Sequence, residues 1–94
     1  MTSVEVLNYE TTDGRYVESV TVIRTGSEAY PSGWKYSLHF GTLNGETLLR
    51  YDNAHERTKG HERHTENGVE TMEFPGMEQL YDRFRSEIRT KYER

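Results

Sequence analysis

An Asn-Gly pair at positions 44 and 45 lies between two segments of alternating polar and apolar residues, and it constrains how they can pair. The segment 34–42 alternates over nine residues, and 47–52 continues the pattern after the pair. Asn-Gly in this setting favours a two-residue hairpin turn. Both residues of such a turn need a positive φ, which Asn and Gly adopt more readily than other residues. The sequence therefore predicts an antiparallel hairpin with strands at 34–42 and 47–52.

The length of this turn sets the register of the hairpin. Counting outward from a facing pair of Leu43 and Glu46 gives four more pairs: Phe40 with Leu49, His39 with Arg50, Leu38 with Tyr51, and Ser37 with Asp52. One face is then apolar and aromatic, and the other carries an imidazole, a guanidinium, a hydroxyl and a carboxylate within contact distance. The alternative is an ordinary solvent face with an Arg50–Asp52 or Arg50–His39 contact. A one-residue slip would exchange the two faces.

The rest of the chain indicates further strands and one helix. Alternation and β-branched residues predict strands at about 3–9 and 16–24, and a second hairpin over 61–74 about Asn67-Gly68. An amphipathic helix is predicted over about 76–92, with Pro75 before its first turn. Its apolar residues recur at helical spacing: Met77, Leu80, Tyr81, Phe84 and Ile88. The predicted fold class is α+β, an antiparallel meander of four to six strands with one C-terminal helix packed on one face, in a single domain spanning 1–94.

Composition limits the class of protein. The chain of 94 residues is long enough for one modest core, and its mean hydropathy of −0.99 is low, although seven tyrosines supply large rings to bury. The absence of cysteine excludes a disulfide framework and thiol chemistry. There is no basic and apolar leader and no apolar run of membrane-spanning length, so we expect a cytoplasmic protein with no membrane contact.

The segment from Leu48 to His64 concentrates groups that carry charge or transfer protons. Residues 50–64 hold four Lys or Arg and three of the four histidines, in a chain whose net charge is −4. A locally basic patch on an acidic body favours contact with phosphate, or with an acidic partner, at one site only. A solvated loop after the hairpin is the alternative interpretation.

Common enzyme motifs are absent from the sequence, including a Gly-rich phosphate loop, a nucleophile elbow, HExxH and Cys/His zinc spacing. Four residues are of types that a borderline divalent ion prefers: Asp52, His55, His61 and His64. Without cysteine, and in a charged connecting segment, this pattern is a weak signal, so no metal is predicted. Ser37 and His39, as i, i+2 neighbours, are too constrained to indicate a nucleophilic triad.

Three motifs carry a resemblance to a known family: Pro31-x-Gly33-x-x-Tyr36-Ser37, Leu49-Arg50-Tyr51-Asp52-Asn53 and Lys59-Gly60-x-x-Arg63-His64, followed by an acidic-aromatic strand and a helix. Over roughly residues 16–92 the chain resembles the TumE-type toxin family of prokaryotic toxin–antitoxin systems. In the family the third of these motifs ends in His-x-His. Here Glu62 takes the place of the first of these histidines, and His61 lies one residue earlier. The stretch 54–58 is also longer than the usual loop.

The resemblance implies a growth-inhibiting toxin of a type II-like pair, neutralised by direct binding of a small helix-turn-helix DNA-binding antitoxin. By analogy with other small sheet-plus-helix toxins, it implies cleavage of RNA without a cofactor. The catalytic candidates are expected to converge on one polar face: His39, Arg50, Asp52, His61 and His64. In this hypothesis His64 or His61 exchanges protons, Arg50 grips a phosphate, and Asp52 orients an imidazole.

A second group of residues is expected to contact the substrate: Tyr51, Asn53, His55, Lys59 and Arg63. Lys59 or Arg63 would add positive charge, and Tyr51 or Trp34 would stack on a base. The competing hypothesis is a non-catalytic module that contacts a partner protein or nucleic acid through the basic 50–64 segment, with Asn53 capping loop amides. A nuclease that needs a divalent ion is a third hypothesis, and a homo-oligomer is an open alternative to a monomer.

Overall fold

The computed structural model describes residues 3–53 and 60–92, and within them it shows six strands and one helix. They are β1 (Ser3–Asp13), β2 (Tyr16–Thr25), β3 (Trp34–Thr42), β4 (Thr47–Asp52), β5 (Glu62–Thr65), β6 (Gly68–Thr71) and α1 (Met77–Tyr92). The strands form one antiparallel sheet in chain order, and α1 packs on one face, which confirms the predicted α+β class. In these described residues, no helix combines the length and apolar character needed to cross a bilayer.

The first strand is longer than predicted because its hairpin with β2 turns later. Asp13 pairs with Tyr16, so only Gly14 and Arg15 make the turn, and Gly14 has a φ of 61°. Residues 10 to 13, beyond the predicted end of the first strand at about residue 9, are therefore strand as well.

The β3–β4 hairpin closes with a different turn from the one predicted. The Thr42 N–H donates to the Glu46 carbonyl at 2.9 Å, and the Gly45 N–H donates to the Thr42 carbonyl at 3.1 Å. The loop therefore has three residues, Leu43, Asn44 and Gly45, and the predicted two-residue turn is wrong. Gly45 has a φ of 95°, a conformation that glycine adopts at little cost in such a loop.

A β-bulge on β4 restores the predicted pairs. Gly41 pairs with Thr47 but Phe40 pairs with Leu49, so Leu48 is the extra residue. Both Leu48 and Leu49 are buried as a result. Beyond the bulge the four predicted pairs are confirmed: Phe40 with Leu49, His39 with Arg50, Leu38 with Tyr51, and Ser37 with Asp52.

The second predicted hairpin is formed by β5 and β6, with its turn one residue earlier than expected. Thr65 pairs with Gly68, so the turn residues are Glu66 and Asn67 rather than Asn67 and Gly68. β5 also pairs with β4, an arrangement that no turn motif in the sequence had indicated.

The helix α1 covers the apolar face of the sheet. Tyr36, Leu38 and Phe40, which alternate along β3, are at most 1% exposed. Four helix residues at helical spacing are buried in the same core: Met77, Leu80, Phe84 and Ile88. Burying each such aliphatic or aromatic side chain contributes about 1.5–3 kcal/mol. Trp34 and Tyr81, predicted to belong to these two apolar stripes, are only half-buried at the margin of the core.

Gly41→Ala is expected to destabilise the protein by about 1–3 kcal/mol. A methyl group at this position would overlap the carbonyl oxygen of Glu46 and press on the His39 ring. The free energy of unfolding, taken from urea titration, measures the effect. Gly26→Ala is the control, because open space surrounds a methyl group there; alanine should be neutral or stabilise by up to about 1 kcal/mol by restricting the unfolded chain. Equal effects of the two variants would contradict this packing of the hairpin.

Candidate active site

Three polar side chains line up across the sheet face that lies opposite α1. His39 on β3 faces Arg50 on β4, and Arg50 faces His64 on β5. Their strand neighbours Leu38 and Tyr51 are buried in the core, so side-chain alternation directs the three outward. Because adjacent strands lie about 4.8 Å apart, the two histidine backbones are about 10 Å apart with Arg50 between them. These three residues are named here the His–Arg–His row.

A buried carboxylate lies beside the row. Asp52 follows Arg50 by two residues on the same face, and its Oδ2 is 2.6 Å from Arg50 Nε. The Asp52 side chain is 3% exposed and that of Arg50 is 45% exposed. A carboxylate away from water needs such a partner, because an unpaired buried charge is costly. The ion pair therefore fixes the inner part of the guanidinium while its outer part stays accessible.

The His64 imidazole lies between two carboxylates. Its Nε2 is 3.8 Å from Asp52 Oδ1 and 3.4 Å from Glu62 Oε1. Asp52 and Glu62 are directly opposite each other in the β4–β5 pairing, and Glu62 shares a face with His64 because side chains alternate along β5. The three residues each bring one possible ligand atom within 4.8 Å of the others. One imidazole and two carboxylates are a donor set that can hold a divalent metal.

At the other end of the row, His39 is half-buried. Its Nε2 is 3.1 Å from Thr47 Oγ1. Burial lowers the pKa of His39 below the usual 6.5, the positive charge of Arg50 lowers it further, and the negative charge of Glu10 opposes both. The lowered pKa favours the neutral imidazole, in which one ring nitrogen can accept a proton.

The imidazole of His61 lies on the helix side of the sheet, apart from the row. Its Nδ1 is 2.7 Å from the Tyr36 hydroxyl, and its ring stacks on Phe74 with centroids 4.6 Å apart. Burial lowers the pKa of His61. Of the five catalytic candidates expected to converge on one face, the structure brings four together and leaves His61 out. Glu62, rather than His61, is the neighbour of His64 on that face.

Two of the predicted substrate contacts, Tyr51 and Arg63, lie beneath α1. Tyr51 is fully buried, and its hydroxyl donates to Glu87 of the helix. Burial and the bond to Glu87 raise the pKa of Tyr51 to about 12, so the hydroxyl remains a donor. Arg63 donates to the Tyr51 oxygen at 3.2 Å, to Glu87 at 2.6 Å and to Glu70 at 3.0 Å. Both side chains therefore tie β4 and β5 to the helix, on the face away from the row.

Asn53 holds the end of β4 against the start of β3. Its side chain accepts the Tyr36 N–H at 3.0 Å and donates to the Trp34 carbonyl at 2.7 Å, and the residue is 1% exposed. Leaving such a buried group unpaired costs about 1–3 kcal/mol. The competing hypothesis expected Asn53 to cap loop amides, but the amide that it accepts from belongs to Tyr36 in β3, so Asn53 braces two strands. His55 and Lys59, also predicted to contact substrate, lie outside the described residues.

Sequence reasoning missed Glu62 as a member of this cluster. Its place opposite Asp52 depends on the β4–β5 pairing, and no turn motif between the two strands fixes that register. The usable signal is spacing: Glu62 and His64 are two residues apart, so they share one face of any strand. The same rule separates His61 from His64.

A comparison with protein-family models identifies the class of protein to which this sheet-and-helix fold belongs, a small toxin. Residues 2–92 match the family described as Toxin TumE. Because the match covers nearly the whole chain, the protein belongs to the TumE toxin family, and the resemblance drawn from its motifs is confirmed. Comparisons with curated proteins and with solved structures gave no match.

The surroundings of His39 predict opposite pKa shifts for two charge changes. Arg50→Gln removes a positive neighbour and should raise the pKa of His39, whereas Glu10→Gln removes a negative neighbour and should lower it. NMR titration of the His39 ring measures each midpoint, and the wild-type midpoint is expected below 6.5. Shifts of the same sign in both variants would contradict this placement of His39.

Proposed function

We propose that this protein is the toxin of a toxin–antitoxin pair and that it cleaves RNA on the face of its sheet that lies opposite α1. The observation that carries the proposal is the His–Arg–His row, in which two imidazoles flank a guanidinium held by the Asp52 carboxylate. Membership of the TumE family supports the toxin role. Action in the cytoplasm, where RNA is accessible, belongs to the same proposal.

Cleavage at a ribose 2′-OH needs a base, an acid and positive charge at the phosphate. In the proposed reaction His39 accepts the proton of the 2′-OH while that oxygen forms a bond to phosphorus. The bond from phosphorus to the 5′ oxygen breaks, and this oxygen takes a proton from protonated His64. The products are a 2′,3′-cyclic phosphate and a free 5′-OH, so the step balances with the groups of the row alone.

The arrangement of the row supports this assignment. Arg50 is nearly half exposed, so its outer nitrogens can meet a phosphate with two parallel hydrogen bonds. His39 and His64 stand on the strands to either side, which gives an imidazole on each flank of a phosphate bound at Arg50. The neutral state of His39 suits the base.

In this proposal Asp52 is a positioning residue for both of its neighbours. Its Oδ2 holds Arg50, and its Oδ1 faces His64 at 3.8 Å. A carboxylate beside a catalytic imidazole fixes the orientation of the ring. Burial keeps the Asp52 side chain in one place, which is what a catalytic arrangement requires of the groups that support it.

Arg50→Ala and His64→Ala, made separately, are each expected to reduce RNA cleavage by about 100-fold or more and to relieve growth arrest. The first removes positive charge at the phosphate, and the second removes the proton donor. Cleavage of a labelled RNA by the purified protein and colony counts after induced expression measure the two effects.

Arg89→Ala is the matched control for these variants, because Arg89 is an exposed basic residue on α1, away from the row. It should keep cleavage and toxicity within about twofold of wild type, as surface substitutions usually do. Circular dichroism checks that all variants fold. Unchanged cleavage and toxicity in both row variants would remove the proposed site.

A partner of the antitoxin kind is the second part of the proposal. We infer that a small helix-turn-helix DNA-binding protein neutralises this toxin by direct contact. Membership of the toxin family supports an antitoxin partner, and the helix-turn-helix type of that partner is our proposal. A stable complex would shield part of the toxin surface and stop its action without any change in the chain itself.

Co-expression with the product of the adjacent gene is expected to give a complex that co-purifies with the toxin and to restore growth. Size-exclusion chromatography of the purified pair measures the complex, and plating efficiency measures the rescue. An unrelated helix-turn-helix protein expressed at the same level is the control and should do neither. Continued growth arrest with no complex would contradict the antitoxin assignment.

A non-catalytic binding module is the second candidate function, and the bracing contacts of Asp52 and Asn53 favour it. On this account Arg50 serves to satisfy the buried Asp52 carboxylate rather than to grip a phosphate. The two candidates differ in the wild-type protein itself: a binding module leaves labelled RNA intact, whereas the proposed ribonuclease cleaves it and loses this activity in Arg50→Ala.

A further inference from the structure

We propose that Asp52, Glu62 and His64 form a binding site for one divalent transition-metal ion, with Zn²⁺ the best match. The inference goes beyond the proposed function, which uses no metal. The three residues lie on two adjacent strands, with Asp52 and Glu62 in a direct cross-strand pair and His64 two residues further along β5.

The distances between the donor atoms are close to those that zinc requires. Ligand atoms held by zinc at about 2.0–2.2 Å in a tetrahedral site lie about 3.3–3.6 Å from one another. His64 Nε2 is 3.4 Å from Glu62 Oε1 and 3.8 Å from Asp52 Oδ1, and all three donor atoms lie within 4.8 Å of one another. Binding of zinc would draw His64 Nε2 and Asp52 Oδ1 together by a few tenths of an ångström.

The donor set also matches the chemistry of zinc. One imidazole nitrogen and two carboxylate oxygens are ligand types that zinc accepts, and three protein ligands leave a fourth position for water. The two carboxylates supply negative charge for the cation, while Arg50 takes up part of that charge through Asp52 Oδ2. This reduces the attraction for the metal, so we expect a weaker affinity than that of a structural zinc site.

The scaffold holds the ligands in a manner typical of metal sites. Asp52 is buried and its Oδ2 is fixed by Arg50 Nε at 2.6 Å, which orients Oδ1 toward His64. Outer partners of this kind set the orientation of a ligating carboxylate and influence affinity by about 10–100-fold. All three ligands belong to paired strands, which position side chains more accurately than loops do.

The ligand set differs from the one considered from the sequence. His61 bonds to Tyr36 and stacks on Phe74 on the helix side of the sheet, so it does not reach this cluster. His55 lies outside the described residues. Glu62 takes the place of both, because it is the residue that alternation puts beside His64.

Metal binding and the proposed proton transfer require different states of the His64 imidazole. A metal at this site binds the Nε2 lone pair of His64, and a proton on the same nitrogen excludes the metal. An occupied site and a row ready for cleavage are therefore alternative states of one imidazole, and the level of available metal would shift the balance between them.

The test is isothermal titration of ZnCl₂ into the full chain, made without a histidine tag and freed of metal with a chelator. One Zn²⁺ is expected to bind each wild-type chain. Glu62→Gln and His64→Ala, tested separately, should each weaken binding by about tenfold or more. The chain has no cysteine, so thiols contribute nothing to the signal.

Two matched controls separate this site from adventitious binding. His39→Ala removes a histidine from the same face at the far end of the row, and Glu70→Gln removes an exposed glutamate that bonds Arg63 on the helix side. Both should bind Zn²⁺ as the wild type does. No binding by the wild type, or equal affinity in wild type, Glu62→Gln and His64→Ala, would overturn the proposal. The titration contains no RNA, so its result and that of the cleavage assay fail or succeed independently.

Discussion

The alternation of side chains along β4 is the constraint on which both faces of this protein depend. Leu49 and Tyr51 enter the core, while Arg50 and Asp52 lie on the face opposite α1. A slip of one residue would carry a guanidinium and a carboxylate under the helix and bring an aromatic ring into solvent. Since a charge buried without its partner is far more costly than an exposed apolar group, the core and the polar face select the same register.

The helix holds β4 and β5 by polar contacts in addition to packing. Glu87 accepts hydrogen bonds from Tyr51 and Arg63, and Arg63 reaches Tyr51 and Glu70 as well. The positive charge of Arg63 is therefore neutralised beneath the helix. Among residues 50–53 and 60–64, Arg50 is then the one arginine or lysine whose side chain lies on the sheet face opposite α1. The basic patch predicted from the sequence is therefore smaller in the described residues, because Arg63 lies on the other face of the sheet.

The β3–β4 register could be predicted although the turn could not. The two-residue turn was wrong, and the three-residue loop would have shifted every pair had Leu48 not formed a bulge. The register survived because the alternating rings of β3 have to meet the apolar residues of β4, and this requirement acts independently of the turn. The helix α1 could be predicted for a similar reason. Its apolar residues recur at helical spacing because they form the side that packs on the sheet.

The composition of the site was only partly predictable, because it depends on how β5 pairs with β4. That pairing joins strands separated by nine residues, and neither their alternation nor a turn motif fixes it. It places Glu62 beside Asp52 and Arg63 under the helix, which sequence distance alone does not reveal. His61 illustrates the point: it is close to His64 along the chain, yet it packs against Tyr36 and Phe74 instead.

Because the strands are arranged in chain order, the two ends of the His–Arg–His row differ in how well they resist local unfolding. His39 and Arg50 stand on inner strands, whereas His64 stands on the four-residue β5, whose outer neighbour β6 is exposed along its whole length. Local opening begins where few buried contacts resist it, so this last hairpin is expected to open at a lower free energy than the inner strands β3 and β4. Arg63 of β5 forms hydrogen bonds beneath the helix. These bonds would then help to determine how long His64 stays in place.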